Sequence, residues 1–176
     1  MIKKSIKEKL KEHYLNNPND KKRVRELERT LKIPLPSVIR YCQELIQEEI
    51  LTIERIGTVK LFIANKASKE YIFEKKIHNL RKINESKMVE YMKQQLSNPG
   101  IILFGSFSKG EDDENSDIDL YIETLSKKKL NLEKFEKIFN KKIQIFQYEN
   151  LHEVPNKNLA NNILNGIIIN KNVEVF

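Results

Sequence analysis

The sequence predicts an α/β protein with a mixed sheet in its second half, preceded by a smaller helical domain that ends in a β-hairpin. Three observations carry this reading. Residues 2–49 hold three apolar stripes at helical spacing, separated by helix breakers. Residues 50–63 hold two β-rich runs on either side of Gly57. From residue 101 onward, short strand-like runs alternate with helical stretches.

The first helix follows from Ile2, Ile6, Leu10 and Tyr14, four apart, and ends at Asn16-Asn17-Pro18-Asn19-Asp20. A second helix is expected from Lys21 to Leu31, with Val24, Leu27 and Leu31 inward. Lys32–Pro36 reads as a turn, because its two prolines forbid continuous helix. Ser37 can cap a third helix that runs to Glu49. Val38, Ile39, Cys42, Leu45 and Ile46 face inward, while Ser37, Arg40, Tyr41 and Glu44 face outward. Helix, helix, turn, helix and hairpin is the order of a winged helix-turn-helix. Residues 25–65 also resemble the winged-helix domains of microbial transcription regulators. That resemblance implies an N-terminal winged helix-turn-helix domain over residues 1–66.

Residues 68–97 are helical, with Phe73, Ile77 and Leu80 on one stripe and Met88, Val89, Met92 and Leu96 on another. Asn84-Glu85-Ser86 divides them, which makes residues 67–86 a helical connector and 87–176 the second domain. Asn98-Pro99-Gly100 ends the helical region. Residues 101–105 and Ile118–Glu123 read as buried strands and Leu130–Phe139 as a helix. Lys142–Tyr148 reads as a third strand and Leu159–Leu164 as a helix closed by Gly166. Ile167–Ile169 and residues 173–176 suit a last hairpin.

Charge is uneven. Residues 1–98 hold 22 Lys/Arg against 13 Asp/Glu, net +9, and residues 99–176 hold 10 against 12, net −2. A basic first half fits attraction to a polyanion such as nucleic acid; it equally fits solvated Lys-rich helices. No apolar run approaches the roughly 20 residues that cross a bilayer, so no membrane partner is expected. The N-terminus lacks the apolar stretch of a signal peptide, and Cys42 is the sole cysteine. Both features lead to the expectation of a cytoplasmic protein. His13, His78 and His152 share no metal-ligand spacing.

The segment that carries chemistry is IILFGSFSKGEDDENSDIDLYIE, residues 101–123. Gly105 lets the chain turn sharply off a strand and lets backbone approach a phosphate. Ser106 offers a hydroxyl and an N–H that could bind an anion if a helix begins there. Asp117 and Asp119 lie two apart on a strand, so both carboxylates face one way. Such a pair repels itself unless a cation lies between, and Mg²⁺ suits carboxylates plus substrate phosphates. Lys109 is a candidate phosphate contact, Gly110 a turn, and Ser108 and Ser116 loop-bonding residues.

Gly-Ser, ten residues and Asp-x-Asp, between two strands, resembles the signature of minimal nucleotidyltransferases of the polymerase-β superfamily. The resemblance implies a mixed-sheet α+β nucleotidyltransferase fold and Mg²⁺-dependent transfer of a nucleoside monophosphate from an NTP, ATP being the favoured one. Asp117 and Asp119 would be the catalytic and metal residues, and Gly105, Ser106 and Lys109 would hold the nucleotide. The acceptor would be a protein hydroxyl, an RNA end or a small molecule; the motif resembles antitoxins that adenylylate a partner toxin, which implies a protein as one such acceptor. The family usually has a third carboxylate on a later strand; by order of elements that position is Gln144, with Glu149 or Glu123 as alternatives that could approach instead. An amide is no base and a weaker Mg²⁺ ligand.

The alternative is a DNA-binding regulator whose second domain only binds nucleotide. Its recognition helix is Ser37–Glu49, with Ser37, Arg40, Tyr41 and Gln43 toward double-stranded DNA and Arg55 and Lys60 toward phosphates. A winged helix can also dimerise, so a homodimer is among the expected assemblies.

Overall fold

A computed structural model describes residues 5–171. The chain divides into two compact units, one up to His78 and one from Asn79.

In the first unit, α1 (Ile6–Asn16) is opened by a capping box: Glu8 N–H donates to Ser5 Oγ at 3.2 Å, and Ser5 N–H to Glu8 Oε2 at 2.9 Å. Its apolar stripe buries Leu10 and Tyr14; Ile2 lies outside the described residues. The second helix, α2 (Val24–Leu31), starts later than its periodicity suggests. Lys22 instead forms an antiparallel bridge with Phe62, and Arg23 takes the cap position. The third, α3 (Leu35–Gln47), starts earlier than expected, with Pro34 at the cap in place of Ser37. Pro36 fits the first turn because its missing N–H would have no intrahelical partner there. Ile39, expected inward, is exposed, while Val38, Cys42 and Leu45 are buried.

The hairpin is β1 (Leu51–Ile56) and β2 (Val59–Ala64), turning through Gly57 at φ +59°. Leu10, Tyr14, Leu27, Val38, Cys42, Leu45, Leu51 and Phe62 belong to one core. Burial pushes the Cys42 thiol up to about 12, so it stays protonated and acts as a small apolar side chain.

A long helix, α4 (Lys69–Glu85), spans the connector. Phe73 and Ile77, two members of the expected apolar stripe, are exposed, at 62% and 37%. The buried residues of α4 include Tyr71, Lys75, His78, Asn79 and Ile83. The following helix, α5 (Met88–Gln95), begins after Lys87 in the left-handed conformation, which accounts for the break expected near residues 84–86.

The second unit holds a four-stranded mixed sheet ordered β5-β4-β3-β6. Its strands are β3 (Gly100–Phe104), β4 (Ile118–Glu123), β5 (Ile143–Tyr148) and β6 (Ile167–Asn170). The β3–β4 and β3–β6 pairs are antiparallel and the β4–β5 pair is parallel. Alternation divides the sheet's side chains between two cores. Ile101, Leu103, Ile118, Leu120 and Ile122 belong to one with Met88, Met92, Phe135 and Phe139; Ile102, Phe104 and Tyr121 belong to the other with Leu151, Val154 and Ile163.

Gly105 leaves the strand expected over residues 101–105 and opens a short helix, α6 (Gly105–Lys109). The next helix is α7 (Glu133–Phe139), shorter than the expected Leu130–Phe139, and its Ile138 is exposed. Last comes α8 (Lys157–Leu164), capped by the Asn156 side chain. The partner of Ile167–Asn170 is β3; the expected return strand, residues 173–176, lies outside the described residues. No helix of the described residues is long and apolar enough to cross a membrane.

Candidate functional site

The register of β3 with β4 places the signature. Phe104 pairs with Asp119, so the Gly105 turn at the end of β3 abuts the first turn-facing carboxylate of β4. Gly105 has φ +72°, a conformation L side chains rarely adopt. A Cβ there would collide with Asp119 Oδ2 and lie 3.2 Å from its Cγ. Glycine is therefore required twice over, by the backbone angle and by the carboxylate above it. The serine hydroxyl of Ser108 donates to the Gly105 carbonyl at 2.8 Å, which closes the α6 turn. Gly110, at φ +79°, ends it.

Asp117 is exposed, directly ahead of β4, and Asp119 is half-buried within it. Burial, and secondly the charge of Asp117, raises the Asp119 carboxyl above its ordinary value. Ser106 is half-buried in the first turn of α6, whereas Lys109 at its end is exposed. In the parallel register Asp119 stands beside Gln144, on the same face of the sheet. Among the described residues no three His, Cys, Asp or Glu side chains gather as a metal-holding group. The donor set is thus two carboxylates and a neighbouring amide. It fits a divalent ion that completes its shell with phosphate oxygens and water.

Between α6 and β4 the loop is bonded from within and from below. Ser116 Oγ donates to Asp113 Oδ1 at 3.0 Å, and Asp113 N–H donates to Ser116 Oγ at 3.0 Å. Asp112 is buried: Asn79 Nδ2 donates to its Oδ1 at 2.6 Å, and Lys141 Nζ lies 3.4 Å from its Oδ2. Sequence reasoning missed Asn79, Asp112 and Lys141. The one available signal was an acid inside an acidic run, which does not distinguish a buried member from solvated ones.

In the first unit, the Arg40 guanidinium lies 4.4 Å from the Tyr41 ring centroid, with its Nε 3.8 Å from Glu44 Oε1. Ser37 and Tyr41 are half-buried; Gln43 is exposed. Arg55 and Lys60 face each other across the hairpin, both exposed.

A glycine-serine turn thus lies beside the Asp119 carboxylate, where β3 ends and β4 begins. Residues 85–165, 81 of the 176, match the family described as "Nucleotidyltransferase domain". The match supports a nucleotidyltransferase-superfamily domain in this part of the chain, and with it general nucleotidyl transfer using an NTP and a divalent metal. No curated protein and no solved structure matches the chain significantly.

Proposed function

We propose that the second unit transfers a nucleoside monophosphate from an NTP, with ATP as the favoured donor, to an acceptor hydroxyl. The observation that carries this reading is the Phe104–Asp119 pairing, which sets the Gly105-Ser106 turn against the Asp119 carboxylate. Asp117 and Asp119 would hold Mg²⁺, which supplies charge neutralisation at the transferring phosphorus and at the leaving pyrophosphate. The N–H groups that open α6, the Ser106 hydroxyl and Lys109 would take triphosphate oxygens. Gln144 cannot accept the acceptor's proton, so that proton passes to Asp119, to the triphosphate or to water. A protein acceptor is favoured over an RNA end or a small molecule by the motif's likeness to toxin-modifying antitoxins. Incubating the full chain with α-labelled NTPs and candidate proteins or RNAs tests the reading. Label should move to an acceptor and stop with Asp117→Ala; no transfer from any NTP, or transfer that survives that change, contradicts it.

A second reading concerns the first unit. Its element order, with a bridge at Lys22 joining the hairpin at Phe62, supports a winged helix-turn-helix. We propose that it binds duplex DNA through Ser37, Arg40, Tyr41 and Gln43 of α3, with Arg55 and Lys60 on phosphates. Like charges directly opposed across a hairpin cost stability, which favours a polyanion as the group that relieves them. Salt-sensitive DNA binding weakened by Arg40→Ala is the expected result; no binding at low salt overturns it.

A further inference from the structure

The two halves of the signature are joined by ten residues, and their separation depends on how that loop is held. Three side chains hold it. Asn79 on α4 is buried, and its Nδ2 donates both to the Phe107 carbonyl of α6 at 2.9 Å and to Asp112 Oδ1 at 2.6 Å. Asp112 is buried within the loop. Lys141, two residues ahead of β5, reaches in with a side chain only 10% exposed. Its Nζ lies 3.4 Å from Asp112 Oδ2 and donates to the carbonyls of Asp113 and, at 3.3 Å, of Ser116. Ser116 directly precedes Asp117. One buried cation thus grips the loop at the residue before the exposed carboxylate. Through Asp112 and Asn79 the same cluster grips α6 two residues beyond Gly105.

We propose that Lys141 is a positioning residue, which with Asp112 and Asn79 fixes the distance between the Gly105-Ser106 turn and the Asp117–Asp119 pair so that one Mg²⁺·NTP can touch both. This rests on the nucleotidyl-transfer reading of the site. A buried ammonium is costly to desolvate, and simple loop closure does not need one. What a lysine adds is a positive charge beside the Asp112 carboxylate together with donors to two carbonyls. A network of this kind holds functional groups to within fractions of an ångström.

The test uses the full chain, with Mg²⁺ and ATP or GTP as titrants, and compares wild type with Lys141→Met, Lys141→Arg and the double change Lys141→Met/Asp112→Asn. The double variant removes both charges together, so it leaves no unpaired buried ion and stays folded where the single change does not. Lys142→Met, whose Nζ faces Glu136 at 3.3 Å, is the control. Expected is a loss of Mg²⁺-dependent nucleotide affinity of about 10–100-fold in the double variant, as for other supports of metal ligands. Residual binding in EDTA should be unchanged, Lys141→Arg should recover most of the loss, and the control should behave as wild type. A folded double variant that binds Mg²⁺·NTP like wild type overturns the positioning role alone. Absence of Mg²⁺-dependent binding by wild type overturns the transfer reading and this inference with it.

Discussion

The Asp119 carboxylate occupies the space that a side chain on Gly105 would need, with a Cβ at that glycine colliding with Oδ2. Turn and carboxylate are therefore a single steric unit, and a change at either is felt at the other.

Gly105→Ala should show this coupling. The backbone angle of +72° and the clash with Asp119 together cost about 3 kcal/mol. The melting temperature should fall, and at temperatures where the protein remains folded Mg²⁺-dependent nucleotide binding should be lost, because Asp119 must move. Calorimetric melting with parallel binding titrations checks both.

Asp119→Asn should separate stability from binding. The folded Asp119 carboxyl lies above its unfolded value, through burial first and the Asp117 charge second. The folded state then binds more protons, so stability falls as pH rises from the unfolded value through the raised one, and the penalty persists at neutral pH. Removing the charge should raise the melting temperature at pH 7, while metal-dependent affinity falls by more than ~100-fold, beyond the effect of losing a ligand's support. An unchanged affinity would count against Asp119 as a ligand.

The same shift sets a pH dependence. Mg²⁺ competes with the proton on Asp119, so Mg²⁺ affinity should weaken on acidification through a value above the usual carboxylate range of about 4. Titrations at a series of pH values should place the midpoint there, and Asp117→Asn should move it down by removing the neighbouring charge.

Gln144→Asp puts a third carboxylate beside Asp119 in the parallel register. Mg²⁺ affinity should rise about tenfold, and any transfer activity should rise with it, since the added group can both ligate and take a proton. The variant should also melt lower without metal, from added repulsion.

Arg55→Glu replaces a like-charged cross-strand pair with an opposite one facing Lys60. Hairpin stability should gain roughly 0.2–1 kcal/mol. Affinity for duplex DNA should fall, and the salt dependence should become shallower by about one unit or more of slope. Fluorescence anisotropy across a salt series reads both.

Element types and their order were legible wherever one apolar period dominated. The buried runs Ile101–Phe104 and Ile118–Ile122 became neighbouring strands, and their register brings Gly105 beside Asp119. Other readings failed where a partner distant in sequence decides. Lys22 is drawn into a bridge with Phe62, so α2 starts late. Phe73 and Ile77 have helical spacing yet face solvent, because the stripe gives periodicity and not what covers it. Asp112 looked like its acidic neighbours, and only the fold brings Lys141 and Asn79 to it.

Calorimetric titration of the intact protein with ATP and GTP, with and without Mg²⁺, bears most directly on the site. Saturable binding that appears only with Mg²⁺, and vanishes in Asp117→Ala, is the expected result. Heats independent of Mg²⁺, or equal in wild type and Asp117→Ala, would contradict a carboxylate-held metal nucleotide at the Gly105 turn.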